Sequence, residues 1–277
     1  MARSRTRIAV VAPASRLTPA LADEVVTLAR GLYPGVELFV HPQCFLTSGH
    51  FAGSDAERAS AFVEVANDPG FDAVWFARGG YGSGRIAEQA VAMLGPEARA
   101  KTYLGYSDLG FVLAALYAQG FSVAHGPMPA DLKRAGGAAA ATRALRYLVE
   151  RAPDTLEPHA AADAPVAAFN ITVLSHLLGT ALEPDLAGHV LMLEDVSEHL
   201  YRIDRALFHI LAHKHMLGLR GIRLGRVSDI LPNDPDFGED EEAIVRRWCA
   251  QSGVAYLGRA DIGHDVENKV VPFGRGA

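Results

Sequence analysis

The chain has 277 residues and a mass of 29.6 kDa, enough for one large domain or two modest ones. Hydrophobic residues make up 49% and charged residues 21%, which is ordinary for a globular protein and excludes a disordered chain. Acidic residues outnumber basic ones by 32 to 26, so no basic excess points to nucleic acid. The two cysteines, Cys44 and Cys249, are too far apart for metal-type spacing and too few for a disulfide scaffold, which indicates a reducing compartment.

The N-terminus resembles a secretory signal only superficially. A basic segment, 1–7, is followed by a short apolar run that Pro13 interrupts almost at once, whereas a signal needs roughly 7–15 apolar residues. We therefore predict a first β-strand there. No apolar stretch approaches the roughly 20 residues of a transmembrane helix, so we expect a soluble protein without a membrane partner.

The first half of the chain alternates between strands and helices. The apolar patterns predict strands at 8–12, 36–40, 72–76, 102–105 and 122–124. Between them they predict helices at 17–32, 55–66, 85–94 and 109–117. This alternation predicts an α/β fold with a parallel sheet covered by helices on both faces, and a ligand site at the carboxyl ends of the strands.

The pattern changes near residue 135. A helix predicted at 139–151 leads into a loose stretch rich in Ala, Pro and Asp that ends at 165. Beyond an apolar run we predict a strand at 190–193, a helix at 201–217, a Gly-rich strand region at 221–230 and an acidic helix at 239–252. A loop at 263–276 follows. The predicted organisation is an N-terminal α/β domain (1–135), a connection (136–165) and a smaller C-terminal α/β domain (166–277).

A glycine-rich segment follows the third predicted strand. Residues 78–84 read Arg-Gly-Gly-Tyr-Gly-Ser-Gly, and their flexible backbone can bring N–H groups together around an anion or an oxyanion. The spacing matches neither a dinucleotide fingerprint nor a Walker loop. A plain tight turn is the alternative.

Ser107 lies between the fourth strand and an apolar helix, the setting of a nucleophile elbow. The alternative is that Ser107 or Asp108 simply caps the helix. His125 ends the next strand and could act as a general base. It could equally be a buried imidazole that shapes a pocket.

The second half offers further ionisable residues. Glu194 ends an apolar strand, where a carboxylate needs a partner if it is buried. His264 lies in the irregular C-terminal loop. Three histidines, at 209, 213 and 215, have a spacing that could ligate zinc, but the glutamate of an HExxH motif is missing, so we favour a surface helix.

Taken in order, several segments resemble the LD-carboxypeptidase family of serine peptidases, peptidase family S66. The resemblance covers most of the chain, and its segments are 8–13, 51–58, 77–83, 105–108, 125–128, Asn170 with 177–180, 193–196, 201–205, 263–264 and 272–274. It implies an N-terminal domain like that of class I glutamine amidotransferases, a smaller C-terminal domain, and an active site between them.

The resemblance also implies a catalytic triad of Ser107, Glu194 and His264, with Asp195 and Glu198 as alternative acids for Glu194. His125 then takes the pocket-shaping role. We expect the backbone amides of Gly80 and Asp108 to form the oxyanion hole. The candidates for binding substrate are Arg78, Gly79, Tyr81, His125, Asn170 and Arg202, of which Arg78 or Arg202 would pair with a terminal carboxylate.

The family's reaction removes the terminal D-alanine from a cell-wall tetrapeptide by cutting an L,D amide bond, usually after a diamino acid, with no metal or cofactor. The resemblance further implies a cytoplasmic homodimer with a muropeptide substrate. A related hydrolase of another peptide-like or acyl-nucleotide bond, a small-molecule-binding module, and a metal-dependent amidase using the three histidines are the alternatives. Relatives usually carry Gly-Gly where this chain has Ala168 and Phe169, which predicts a narrower loop, and Gly110 stands where threonine is frequent.

Overall fold

The structure, a computed structural model, describes residues 6–160 and 164–275. Part of the basic segment 1–7, part of the predicted connection 136–165 and the end of the predicted loop 263–276 therefore lie outside the described residues. Within those ranges, no helix is both long enough and apolar enough to cross a bilayer.

The first half of the chain follows the predicted alternation closely. Its elements are β1 (Thr6–Val11), α1 (Pro19–Leu32), β2 (Val36–Val40), α2 (Asp55–Asn67), β3 (Ala73–Phe76), α3 (Ala87–Ala92), β4 (Thr102–Gly105), α4 (Gly110–Ala118), β5 (Ser122–His125) and α5 (Gly137–Glu150). The second half contains β6 (Val166–Asn170), α6 (Ile171–Leu177), β7 (Val190–Val196), α7 (Leu200–Ala212), β8 (Gly221–Ser228), α8 (Glu241–Ser252), β9 (Tyr256–Arg259) and β10 (Val271–Pro272).

These strands form two sheets within the described residues. The first has the order β10-β5-β4-β3-β1-β2 and is parallel except for β10, which pairs with β5 in the antiparallel sense. The second has the order β6-β7-β8-β9 and is parallel throughout. The predicted fold class, an α/β protein with a parallel sheet and a second, smaller α/β domain, is confirmed.

Local sequence explains how the first layers form. The residues of β1 from Ile8 to Val11 are fully buried, as expected for a strand covered on both faces. Helix α1 begins where Thr18 caps it, its Oγ1 accepting from the amide of Leu21, and Pro19 occupies the first helical position. The buried side of α1, including Val25, then packs on the same core as Ile8.

Helix α6 was not predicted, the segment of β6 was given only as an apolar run, and two further features of the second half differ from the sequence predictions. Helix α7 ends at Ala212, not at 217, because His213 adopts an extended backbone and the chain continues into a short 3-10 turn, Met216–Gly218. Strands β9 and β10 were not predicted; β10 is only two residues long and lies in a segment without apolar periodicity. The helix at the start of the predicted connection, α5, packs its buried side on the core beneath β1.

The topology brings three chain segments to one place. The glycine-rich segment leaves β3 and the Ser107 turn leaves β4, and these two strands are paired neighbours in the first sheet. Their carboxyl ends therefore meet at the same edge. The chain's last strand, β10, returns from the second half and pairs Val271 with His125 at the end of β5.

Candidate active site

Ser107 occupies a sharp turn between β4 and α4. Its φ angle is +61°, a left-handed conformation that costs a non-glycine residue energy and is held only when the surroundings require it. A short 3-10 turn, Ser107–Leu109, follows and runs straight into α4. The close packing of this turn needs a small residue at Gly110, since a Cβ there would lie 2.9 Å from Val173 Cγ1. The local structure is thus that of a nucleophile elbow.

The imidazole of His264 links this serine to a buried carboxylate. His264 Nε2 lies 3.0 Å from Ser107 Oγ, and His264 Nδ1 is hydrogen-bonded to Glu194 Oε2. Glu194 has no exposed surface, and His264 is 8% exposed. In β7, the pairing with β8 shifts register between Leu193 and Asp195, so Glu194 sits at an irregularity of the strand, a device that re-aims a side chain.

The charges of Glu194 and His264 are coupled. Burial alone would raise the pKa of Glu194, but the charge of His264, the hydrogen bond from that imidazole and the nearby His125 outweigh it and lower the pKa to about 2. Burial opposes protonation of His264, yet the Glu194 carboxylate raises the pKa of that imidazole above its usual value. Glu194 is therefore ionised at neutral pH and stabilises positive charge on His264.

His125 lies next to Glu194. Its Nε2 is 4.0 Å from Glu194 Oε1, its side chain is almost fully buried, and neither of its ring nitrogens has a hydrogen-bond partner among the described residues. The ring of Tyr106 packs against both imidazoles, with centroids 4.8 Å from His264 and 5.4 Å from His125. His125 thus faces Glu194 Oε1, whereas His264 is bonded to the other oxygen, Oε2.

The glycine-rich segment is tied to the serine turn by Asp108. The amides of Gly82 and Ser83 donate to the Asp108 carboxylate at 3.3 and 2.8 Å, and Ser83 Oγ donates to the Asp108 carbonyl at 2.5 Å. Burial raises the pKa of Asp108, against these hydrogen bonds, which lower it. The segment is thereby held against Ser107: a Cβ on Gly79 would lie 2.9 Å from Ser107 Cβ and 3.0 Å from Oγ.

Two backbone amides near the serine remain available. No described residue accepts a hydrogen bond from the amide of Gly80 or of Asp108. Gly80 has a φ of +102°, which favours glycine, and a Cβ there would lie 2.3 Å from Ser15 Oγ. Unpaired amides beside a nucleophile are the donors that an oxyanion requires.

Ser107 opens onto a cleft of about 710 Å³. Both halves of the chain line it, with Tyr81, Arg85 and Glu88 from the first half and Asn170, Thr172 and Glu198 from the second. The cleft is thus lined by one guanidinium, Arg85, and by four carboxylates: Glu88 and Glu198, together with Asp108 and Asp195, which are buried. Its volume suits a short peptide.

The structure places some of the predicted substrate-binding residues at the cleft with free side chains or backbone, and others with their side chains already engaged. Gly79 and Tyr81 lie at the site, and Tyr81 is 57% exposed. Asn170 lines the cleft, but its side chain is engaged: it caps α6 by accepting from the Val173 amide and donates to Asp195 Oδ1 at 2.7 Å.

Neither arginine expected to bind a carboxylate lines the cleft. Arg78 is exposed and Arg202 lines a neighbouring depression, where it donates to Glu198 at 3.1 Å. Of the described arginines, Arg85 alone lines the cleft, with its Nε donating to Asp55 Oδ2 at 2.9 Å. Sequence reasoning missed Arg85; its position directly after the glycine-rich segment was the available signal.

Two further expectations need correction. Ala168 and Phe169 do not narrow a loop, because they are buried core residues of β6, where Phe169 packs on Phe273. The three histidines do not share one helix face, because α7 ends before His213. His209 lines the neighbouring depression, whereas His213 and His215 lie beside Glu183.

Both halves of the chain match the sequence profiles of one known protein family. Residues 8–126 match the sequence profile of the LD-carboxypeptidase N-terminal domain, and residues 164–277 match that of the LD-carboxypeptidase C-terminal domain. The murein tetrapeptide carboxypeptidase of Pseudomonas aeruginosa is 27% identical over 289 residues, covering 98% of this chain and 92% of that protein.

Two solved structures share the fold. Muramoyltetrapeptide carboxypeptidase from Oxalobacter formigenes superposes with a TM-score of 0.82 at 24% identity, covering 97% of this chain and 93% of the other. MccF in complex with glutamyl sulfamoyl guanosine superposes with a TM-score of 0.75 at 15% identity, covering 99% and 97%. At these identities the two structures establish a common fold alone.

Proposed function

The chain belongs to the LD-carboxypeptidase family, and we propose that it is a serine peptidase that releases the terminal D-alanine of a murein tetrapeptide. One observation carries the proposal: Ser107, His264 and Glu194 form a continuous hydrogen-bonded series, with the serine in a strained elbow at a cleft. The matched family and the relatives named for murein peptides support the substrate class.

The first chemical step is attack by the serine. The hydroxyl of a serine is too weakly acidic to ionise alone, so His264 Nε2 accepts its proton as Oγ bonds to the carbonyl carbon of the scissile amide. Glu194 accepts from Nδ1, fixes the tautomer and stabilises the imidazolium. The amides of Gly80 and Asp108 donate to the oxyanion; losing one such donor typically costs about 2.7–4 kcal/mol of activation free energy.

Collapse of this intermediate breaks the C–N bond. His264 returns the proton to the departing D-alanine amine, and the rest of the peptide stays esterified to Ser107. A water molecule then attacks the ester while His264 takes one of its protons. The peptide leaves with a new carboxylate, and the proton returns to Ser107.

The charges of the cleft suit the ends of such a substrate. A carboxypeptidase must bind a free carboxylate, and Arg85 is the arginine that the cleft presents. A diamino acid carries an ammonium group, and Glu88 and Glu198 supply negative charge on the same surface. We propose Arg85 as the partner of the terminal carboxylate.

The decisive experiment compares wild type with Ser107→Ala on tri-, tetra- and pentapeptide muropeptides, measuring released D-alanine. We expect release from the tetrapeptide by the wild type and none by the variant, which should keep its fold by circular dichroism. Undiminished release by a folded Ser107→Ala variant would contradict the serine mechanism. A wild type that leaves muropeptides intact but cleaves an aminoacyl sulfamoyl nucleotide would overturn the substrate class and leave the chemistry standing.

A further inference from the structure

A second cluster of ionisable side chains lies outside the cleft. Glu183 belongs to the segment between α6 and β7, His213 follows the last residue of α7, and His215 lies two residues further on. One ligand atom from each of the three residues lies within 4.8 Å of the others. None of the three residues lines the active-site cleft.

The donor types and spacing fit a small divalent cation. Two imidazoles and one carboxylate are a common protein ligand set for Zn²⁺, with bonds of about 2.0–2.2 Å, which in a tetrahedron separates ligand atoms by about 3.4 Å. Glu183 Oε1 lies 3.5 Å from His213 Nδ1 and 2.7 Å from His215 Nδ1. The second of these distances must widen on binding, and the His215 side chain is 57% exposed and free to shift.

Two details go beyond an ordinary hydrogen-bonded cluster. His213 Nδ1 is buried and has no hydrogen-bond partner among the described residues, a costly state that a bound cation would relieve. The other oxygen, Glu183 Oε2, accepts from the Gly179 amide at 2.6 Å, which orients the carboxylate as outer-shell hydrogen bonds orient metal ligands.

We propose that Glu183, His213 and His215 bind one Zn²⁺ ion, with a fourth position open to water. The position of the site makes its role structural. Thr180, Ala181 and Leu182 line the active-site cleft immediately before Glu183. Zinc therefore fastens one wall of the cleft to the end of α7, without contacting the reacting atoms.

Titration of metal-free protein with zinc sulfate at pH 7.5, followed by isothermal calorimetry, tests the proposal. We expect one Zn²⁺ per chain and a rise in Tm, since a ligand that binds only the folded state stabilises it. His215→Ala and Glu183→Gln should each weaken binding by at least about tenfold. His209→Ala is the matched control, because its ring approaches that of His213 but supplies no atom to the cluster.

Cobalt gives an independent readout, since tetrahedral Co²⁺ absorbs visible light strongly and should do so in the wild type and in His209→Ala but not in His215→Ala. Both cysteines are buried with raised thiol pKa values, about 12 for Cys44 and about 11 for Cys249, so they compete poorly. Absence of saturable one-to-one binding, or equal affinity in wild type, His215→Ala and Glu183→Gln, would overturn the proposal. Circular dichroism of the metal-free variants separates lost binding from lost fold.

Discussion

Glu194 lies between two imidazoles and is fully buried. Oε2 accepts from His264, and Oε1 faces His125 at 4.0 Å. A buried carboxylate is tolerable only when it is hydrogen-bonded or its charge is compensated; Glu194 accepts a hydrogen bond from His264 and, in the proposed mechanism, stabilises the positive charge that forms on that imidazole during attack. In the proposed mechanism Glu194 therefore acts entirely through His264.

This coupling predicts a pH effect. His264 accepts a proton only when neutral, so kcat/KM should fall as the pH drops through the pKa of His264. Glu194 raises that pKa; removing its charge in Glu194→Gln should therefore move the acidic limb of the profile to lower pH. The same variant should lose roughly 10²–10⁴-fold in kcat, because the imidazolium loses its counter-charge.

Glu198→Gln is the control for this prediction, since Glu198 is another acid of the same segment but bonds to Arg202 instead of His264. It should keep the position of the acidic limb. A folded Glu194→Gln variant with wild-type turnover and an unmoved limb would remove Glu194 from the mechanism.

Substrate binding gives a second prediction at the residue scale. Arg85→Ala should raise KM by about tenfold or more with a smaller change in kcat, because an ion pair to the terminal carboxylate is lost in the ground state as well as in the transition state. Arg202→Ala should leave KM close to that of the wild type. Steady-state kinetics on the tetrapeptide decide between them, and the reverse ranking would restore Arg202 as the carboxylate partner.

The individual residues were predictable to different degrees. Ser107 could be singled out from its strand–turn–helix setting, whereas His264 was identified only through the family resemblance, because it lies 157 residues away in an irregular loop. Nothing in local periodicity reports such a contact. Arg85 was missed because its exposure in the cleft depends on how Asp108 folds the glycine-rich segment.

At the scale of elements, the glycine-rich segment and the serine turn act as one unit. Asp108 accepts two amides of the segment, so the loop after β3 is positioned by the residue that follows the nucleophile. The free amides of Gly80 and Asp108 are thus placed by the same contacts. The geometry of the proposed oxyanion hole depends on the pairing of β3 with β4.

Gly79→Ala tests this unit. A new Cβ would lie 2.9 Å from Ser107 Cβ, closer than side-chain atoms approach, so either the serine or the loop must move. We expect kcat to fall by at least about 10²-fold, since small misplacements of reacting groups cost this much.

The control for this variant is Gly35→Ala, where a Cβ meets nothing within 4 Å, and it should keep wild-type kcat. A Gly79→Ala variant with unchanged kcat and fold would contradict the close placement of the loop. Thermal melts of both variants distinguish local misplacement from general destabilisation.

The regular elements were largely predictable and the short ones were not. Helix α1 follows from its cap and its apolar stripe, and β1 from a short apolar run. Helix α7 was predicted five residues too long because apolar spacing continues past Ala212 while the backbone turns. Strand β10 is defined by its partner β5, which the sequence around it does not reveal.

At the scale of the whole molecule, the loop that carries His264 is anchored by both halves. Arg143 of α5 donates to the carbonyls of Val266 and Asn268 at 2.7 and 3.0 Å. From the second half, Arg226 forms a two-point ion pair with Asp265. His264 is therefore positioned by distant parts of the chain.

Arg143→Ala should lower kcat by about tenfold, because charge-assisted hydrogen bonds worth about 1.5–3 kcal/mol hold the loop that positions the base. Arg146→Ala, one turn along α5, removes an exposed ion pair with Asp154 and should leave kcat unchanged. Equal kcat in the two variants would show that the loop needs no support from α5.

Homodimerisation stays a prediction from the family resemblance, as does a cytoplasmic location. Light scattering on eluting protein should give about twice the 29.6 kDa chain mass. A mass equal to one chain would contradict the dimer. The measurement is independent of activity and of the zinc site.

The pairing of β10 with β5 limits how far the two halves are interchangeable modules. A chimera that takes its second half from a relative, in order to change substrate preference, also imports a foreign terminal strand that must fit the edge of the first sheet. That strand begins seven residues beyond His264. We expect a chimera to keep a functional cleft when its β10 and the β5 edge of its first sheet come from the same protein.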